Sequence, residues 1–418
     1  MDSSFVSSRV ATVVRVTLLL WVCALPLFAR AAPDEVRMGR DQGYPACEPA
    51  NQRMECRVGA FSTPRGRRVP RPSEALPLER HPTAPEVAFR WGFQRFTLDD
   101  YLDRQKATGL LVLKDGQIVY EKYQYGRTPQ MGMRSFSMAK TVTALLVGIA
   151  HDKGLIASLD DRADRYYRAI EGTPYGSTTI RNLLRMGSGV TFSENYGWSQ
   201  DSDLVRFYTR VFDVQANGAE SGFRLFQARD AEQGRRFNYA TIETEVLARV
   251  LTHATGRNLS DLTREWLWHP IGAEGDGHWI VARSDGVENA GGGYFATLRD
   301  WARLGLLMAN DGKVGERQIV SRQFLLEATD PALQPAGFAP RQATSFFGYG
   351  YQTWILPMRE RTFAFLGIFG QGMVVQPASG IVIVQTSVYD RPSGDPMGAM
   401  RTEMWRGVIN ALGGRSSE

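Results

Sequence analysis

The stretch Arg134-Ser-Phe-Ser-Met-Ala-Lys-Thr-Val-Thr-Ala-Leu-Leu-Val-Gly-Ile-Ala150 decides how the chain is read. Its apolar run predicts a helix, and Ser137-Met-Ala-Lys140 sets a serine and a lysine three residues apart at its start. Positions i and i+3 share a helix face, so hydroxyl and amine sit together where the helix dipole favours developing negative charge. An amine that loses its proton on burial can activate a serine without histidine. Arginine could not replace it, because a guanidinium stays protonated. Lysine is scarce here, confined to Lys106, Lys114, Lys122, Lys140, Lys153 and Lys313.

Working outward, Gly109 to Tyr123 reads as a hairpin of branched and aromatic strands turned by Asp115-Gly116. A short helix precedes it, starting near Phe96 and capped by Thr97 or Asp99. Beyond the serine helix, residues 159 to about 290 read as mainly helical. Helices are predicted over Thr179–Val190, Asp201–Val211, Tyr239–Ala254 and Asn258–Trp268. Leu298–Asn310 gives a further amphipathic helix. Tyr349–Leu356, Thr362–Ile368, Gly372–Gln376 and Ile381–Ser387 read as strands, and Pro396–Leu412 as a closing helix. The expected fold is α/β (α+β), an antiparallel sheet flanked by helices with an inserted, mainly helical subdomain.

A serine–lysine pair needs a proton relay and a cradle for the oxyanion. Phe237-Asn-Tyr239-Ala-Thr241 offers the relay at a loop–helix junction, a neighbouring lysine favouring the tyrosine oxyanion. Phe365-Leu-Gly367-Ile-Phe-Gly-Gln371 offers the cradle: a glycine in a strand marks close approach of a backbone or ligand. The backbone N–H groups of Ser137 and Ile368 are the candidate oxyanion donors.

Together these segments resemble the serine β-lactamase and penicillin-binding-protein superfamily, marked by Ser-x-x-Lys, Tyr-x-Asn and a Lys-Thr-Gly strand. The order is similar to the class C branch and its esterases. Met186-Gly-Ser-Gly-Val-Thr-Phe-Ser-Glu-Asn-Tyr196, Phe237-Asn-Tyr239, Gly291-Gly-Gly-Tyr-Phe-Ala-Thr297 and Gly367-Ile-Phe-Gly-Gln371 look like 6-aminohexanoate-dimer (nylon oligomer) hydrolases. The resemblance covers residues 95–412. It implies a β-lactamase-like fold, Ser137, Lys140 and Tyr239 as catalytic residues, and Tyr196, Gly367 and Gln371 as substrate contacts. Two departures stand out. Thr241 occupies the usual asparagine position, and Phe365 replaces the strand lysine that helps the family hold substrate carboxylates. An aromatic cannot pair with a carboxylate, so esters or neutral amides fit better than penicillins.

Residues 1–31 read as an export signal, with Arg9 and Arg15 before an apolar stretch from Val16 to Phe28 and Ala29-Arg-Ala31 at the cleavage point. The expected destination is the periplasm or the medium, with no stable membrane span after cleavage. Cys47 and Cys56, the cysteines left, suggest one disulfide in an oxidising compartment. Residues 32–95 read as a Pro/Arg-rich arm, its basic run Pro64–Pro72 a solvated surface segment. The hydrolase domain is placed at 96–412. Losing Arg9, Arg15, Arg30 and Asp2 with the signal lowers the formal charge of +5 by two. The remainder, mixed with acids, does not argue for nucleic acid.

The five histidines form no ligand pair at helical spacing. No serine lies in Gly-x-Ser-x-Gly, and no phosphate-binding glycine loop precedes a helix. The reading is an exported serine hydrolase acting on a small ester or amide through a Ser137 acyl-enzyme, with no metal or organic cofactor in its mechanism. A β-lactamase or D-Ala-D-Ala carboxypeptidase, and a non-catalytic binding protein on the same scaffold, are the alternatives. The sequence carries no signal of oligomeric state.

Overall fold

The computed structural model describes residues 66–417, apart from 84, 197–201, 213–218, 283–284, 390 and 395. The signal segment, the Cys47–Cys56 pair and part of the loop between Ser193 and Arg229 therefore lie outside the described residues. Among the described residues no helix is long and apolar enough to cross a membrane.

In chain order the first strands are β1 (Gly66–Val69), β2 (Ala88–Trp91), β3 (Gln94–Thr97), β4 (Ala107–Lys114), β5 (Gln117–Tyr123) and β6 (Met133–Arg134). After the helical middle come β7 (Gly277–Ile280), β8 (Tyr294–Ala296), β9 (Lys313–Val314) and β10 (Arg317–Gln318). The last are β11 (Gly348–Tyr349), β12 (Trp354–Ile355), β13 (Phe363–Gly367), β14 (Gln371–Gln376) and β15 (Ile381–Ser387). The main sheet has seven strands in the order β11-β12-β13-β14-β15-β4-β5, each pair antiparallel. The β4–β5 hairpin thus completes a sheet begun at the other end of the chain. Its continuous apolar strands are explained by burial on both faces. Leu111, Leu113, Val382 and Val384 join the core under the serine helix. Leu110, Val112, Ile381 and Ile383 alternate onto the other side, against the Met397–Ala411 helix.

A second sheet, β1-β7-β8-β6, ends on the strand leading into Ser137. Its outer strand belongs to the arm, and here the basic run lies on the surface with acidic partners the sequence does not reveal. Arg67 meets the buried Glu288 at 2.6 Å and Arg68 meets Asp276 at 2.5 Å, so these solvent-exposed arginines also pair with the body. Further along the arm, Leu76 N–H donates to Gly272 O, and Ile118 N–H to Glu79 O.

Several helix starts follow their caps: Thr97, Thr179, Asn258 and Thr297 each accept a backbone N–H from the first turn. Two expectations fail locally. The helix after Thr179 ends at Leu184, and the left-handed residue beyond it is Met186 (φ +59). The strand expected over Tyr349–Leu356 is broken into β11 and β12 by a turn with Gln352 at φ +51. Gln352 makes the reason visible. Its Nε2 donates to Leu183 O and Leu184 O, its Oε1 accepts from Thr244 Oγ1 at 2.7 Å, and its carbonyl accepts from Thr141 Oγ1 at 2.7 Å. One buried residue, through its side chain and its carbonyl, ties the serine helix, the helix after Tyr239 and the short Ile180–Leu184 helix together.

Candidate active site

Ser137 lies in a 3₁₀ turn, Phe136–Met138, that feeds directly into the helix Ala139–Asp152. Ser137 therefore precedes the α-helix instead of forming its first turn. Phe136 holds φ +48, an uncommon conformation for a bulky residue and a mark of local strain at the turn. Its ring sits 5.4 Å from that of Phe369, and the Arg134 guanidinium lies 4.4 Å from its centroid. Ser137 stays half-exposed while Lys140 behind it is buried.

Lys140 Nζ lies 3.1 Å from Ser137 Oγ and donates to Gly291 O at 2.6 Å. Burial takes the amine down to about 8, against the pull of two carboxylates, Glu194 and Glu245, that favour its charged form. Tyr239 stands on the far side. Its hydroxyl is hydrogen-bonded with Ser137, and Lys140 Nζ is 5.2 Å from its ring centroid. The expected tyrosine oxyanion is corrected here. Burial first, then Glu194, pushes the phenol well above its ordinary value, so the neutral form is favoured over the oxyanion. The loop carrying it is pinned by Met186, whose carbonyl accepts from Asn238 N–H at 2.9 Å.

Glu194 escaped the sequence reading, although it lies inside the Met186–Tyr196 stretch. It caps the Thr241–Thr255 helix, accepting from Thr241 N–H at 2.8 Å and from Thr241 Oγ1 at 2.5 Å. Thr241, in the asparagine position of the motif, is thus spent on Glu194. Tyr196, half-buried, donates its hydroxyl to the same carboxylate at 2.9 Å.

The end of β13 closes the opposite wall. A Cβ on Gly367 would strike the carbonyl oxygen of Ser135, so the close backbone approach expected at this glycine is present. Ile368 follows in a half-buried turn, which sets its backbone beside the serine turn. Gln371 is different. Its side chain is buried, with Nε2 donating to Ser387 O at 2.6 Å and Oε1 accepting from Ser387 N–H at 3.1 Å. It clamps β14 to β15, and the substrate contact expected of it is corrected to a structural one. Phe365 is 1% exposed and belongs to the core beneath the sheet. No cation stands at that position. A block of aromatics flanks Tyr239: Trp354 stacks on it at 5.4 Å, with Phe237, Phe347 and Tyr349 around Trp354.

A serine and a buried lysine in contact, on an antiparallel sheet flanked by helices, describe a serine hydrolase on a β-lactamase-like fold. The chain belongs to the Beta-lactamase family, whose model matches residues 97–400. It is 24% identical over 338 residues to the 6-aminohexanoate-dimer hydrolase of Paenarthrobacter ureafaciens, covering 75% of this chain and 79% of that one. Among solved structures, a Bacillus anthracis protein named as a candidate 6-aminohexanoate-dimer hydrolase superposes with a TM-score of 0.71 at 25% identity, covering 82% of this chain and 90% of its own. A family VIII carboxylesterase shares the fold at a TM-score of 0.58 and 16% identity, over 75% of this chain and 95% of its own.

Proposed function

We propose that the protein is an exported hydrolase that cleaves a carboxylic ester or neutral amide through an acyl-enzyme on Ser137. The observation that carries this reading is the 3.1 Å contact between Ser137 Oγ and an amine that burial holds near neutrality. Lys140 takes the Ser137 proton as Oγ attacks the substrate carbonyl carbon. The N–H groups of Ser137 and Ile368 receive the oxyanion. On collapse the C–O or C–N bond breaks, and the leaving group takes a proton from Tyr239, which is replenished from Lys140. Water then attacks the acyl-enzyme, giving its proton to the same relay and freeing Ser137. Tyr196, its proton engaged by Glu194, presents its oxygen as an acceptor for a substrate N–H.

Charge supports a neutral substrate over a penicillin-like anion. Two carboxylates bear on Lys140, while Phe365 is buried where the family motif carries a cation. The half-buried aromatics beside Tyr239 suit an apolar group next to the scissile bond. Export rests on the N-terminal segment of the sequence alone.

The test is turnover of a p-nitrophenyl ester, a 6-aminohexanoate dimer and a chromogenic cephalosporin by the parent and Ser137→Ala. Ester or dimer hydrolysis lost in the variant, with the cephalosporin untouched, is expected. Turnover of the cephalosporin alone would move the protein to cell-wall chemistry, and activity surviving in Ser137→Ala would overturn the mechanism.

A further inference from the structure

The Gly291 peptide touches two charged side chains at once. Its carbonyl accepts from Lys140 Nζ at 2.6 Å, and its N–H donates to Glu245 Oε1 at 2.8 Å. Only glycine fits between them: a Cβ would lie 2.5 Å from Thr241 Cγ2, 3.2 Å from Glu245 Oε1 and 3.4 Å from Lys140 Nζ. Glu245 sits four residues after Thr241 on one helix, so both point to the same side. It is 1% exposed, and its second oxygen is buried with no hydrogen-bond partner. For scaffolding alone that is a costly choice, because a buried carboxylate with an idle oxygen destabilises the fold.

We propose that Glu245 is a positioning residue for Lys140: through the Gly291 peptide it holds the amine against Ser137, and its charge sets the field in which the amine exchanges protons. The inference rests on the reading of Lys140 as the base. Hydrogen bonding to a carboxylate polarises the Gly291 peptide and strengthens its carbonyl as an acceptor for the amine. The groups facing Glu245 are Lys140 from the serine helix, Tyr208 from the Asp203–Phe212 helix and Arg249 one turn further along its own helix. Tyr208 is kept neutral by burial and by Glu245 itself. Burial raises Glu245 to about 7, opposed by the Gly291 N–H, Arg249 and Lys140. Above that pH the carboxylate is charged and favours protonated Lys140.

The sign follows. Glu245→Gln keeps an acceptor for the Gly291 N–H and removes the charge, so Lys140 loses its proton at lower pH. The acid limb of kcat/KM for a p-nitrophenyl ester is expected to move down by about one pH unit. Glu245→Met removes charge and acceptor together, and kcat is expected to fall at least tenfold with KM within about twofold, the pattern of a misplaced base. A limb that superposes on that of the parent in Glu245→Gln would overturn the proposal even if Glu245→Met does not fold. So would a kcat unchanged in a folded Glu245→Met. Ser137→Ala, run alongside, separates the failures: its loss of activity with superposed limbs discards Glu245 alone, whereas its retention of activity discards the base mechanism.

Discussion

Replacing Gly291 by alanine tests the geometry of the site without altering any charge or any side chain placed at the substrate. The added methyl would sit 2.5 Å from Thr241 Cγ2, against about 3.5–4.0 Å for an ordinary carbon contact. Something must move by roughly 1 Å. Thr241 is held by Glu194 through two hydrogen bonds, so it cannot absorb the whole shift and part of it falls on the Gly291 peptide. Its carbonyl is the 2.6 Å acceptor of Lys140, and displacing it moves the amine relative to Ser137 Oγ. A misplacement of about 1 Å costs about 10²-fold in rate, or about 2.7 kcal/mol of barrier. Overpacking also destabilises the fold by about 1–3 kcal/mol, so a control is needed. Gly305 supplies it: a Cβ there would lie 2.5 Å from Val382 Cγ1, where the Leu298–Ala309 helix packs on β15, and it touches neither Lys140 nor Gly291. Both variants are assayed as folded protein at a temperature well below melting, with urea unfolding alongside. The expected result is similar destabilisation in the two, with kcat falling only in Gly291→Ala. A folded Gly291→Ala that keeps kcat within about threefold would refute the role of this carbonyl as the anchor of the amine.

The same helix carries a pH-dependent stability cost, and a neighbouring turn carries a mechanical one. Burial raises Glu243 from 4.5 to about 8, opposed by Ser188 and Arg229. The folded state then binds this proton more tightly than the unfolded state, so its share of stability is intact below about 4.5 and declines as pH climbs toward 8. Glu243→Gln keeps the acceptor for Ser188 Oγ, now at 2.6 Å from the carboxylate, and is expected to flatten the fall of unfolding free energy between pH 5 and 8 by on the order of 2–4 kcal/mol, read by urea unfolding at each pH. Equal slopes in parent and variant would count against it. Gln352→Leu strips Thr244 Oγ1 of its acceptor and two carbonyls of their donor, a loss of about 2–5 kcal/mol by urea unfolding. A loss under about 1 kcal/mol would show that this turn is not the tie between the helices.

The parts of the site that were legible in the sequence are those whose spacing is local. Ser137 and Lys140 are three residues apart, Asp115-Gly116 turns its own hairpin, and Thr97 caps the helix that follows it. Gly367 was legible too, because a glycine inside an apolar strand signals crowding whatever the crowding atom is. What escaped depends on contacts across long stretches of chain. Glu194 meets Thr241, Glu245 meets Gly291, and Gln352 gathers three helices, and no periodicity marks an acid or an amide for such duty. The arginines at Arg67 and Arg68 look solvated because their partners, Glu288 and Asp276, lie more than two hundred residues away. Gln371 misled for the opposite reason: it sits in the right motif, yet strand alternation turns its amide toward Ser387.

Under the proposed mechanism, the charge arrangement that readies Lys140 also selects what approaches it. An ordinary lysine is almost wholly protonated at neutral pH, and full burial without acids would strip its proton by several pH units. Here burial alone wins, but Glu194 and Glu245 hold the outcome near 8, so the amine can both accept the serine proton and return it. A base that never recharged would stall the leaving group, and one that never discharged would not attack. The same two carboxylates act on any substrate placed at Ser137. At an effective dielectric near 20, a like charge about 5 Å away costs an incoming carboxylate about 3 kcal/mol. Phe365 leaves no compensating cation on β13. Under the proposed mechanism, base activation and discrimination against anionic substrates are one electrostatic device, and neutralising Glu194 or Glu245 is expected to relax both together.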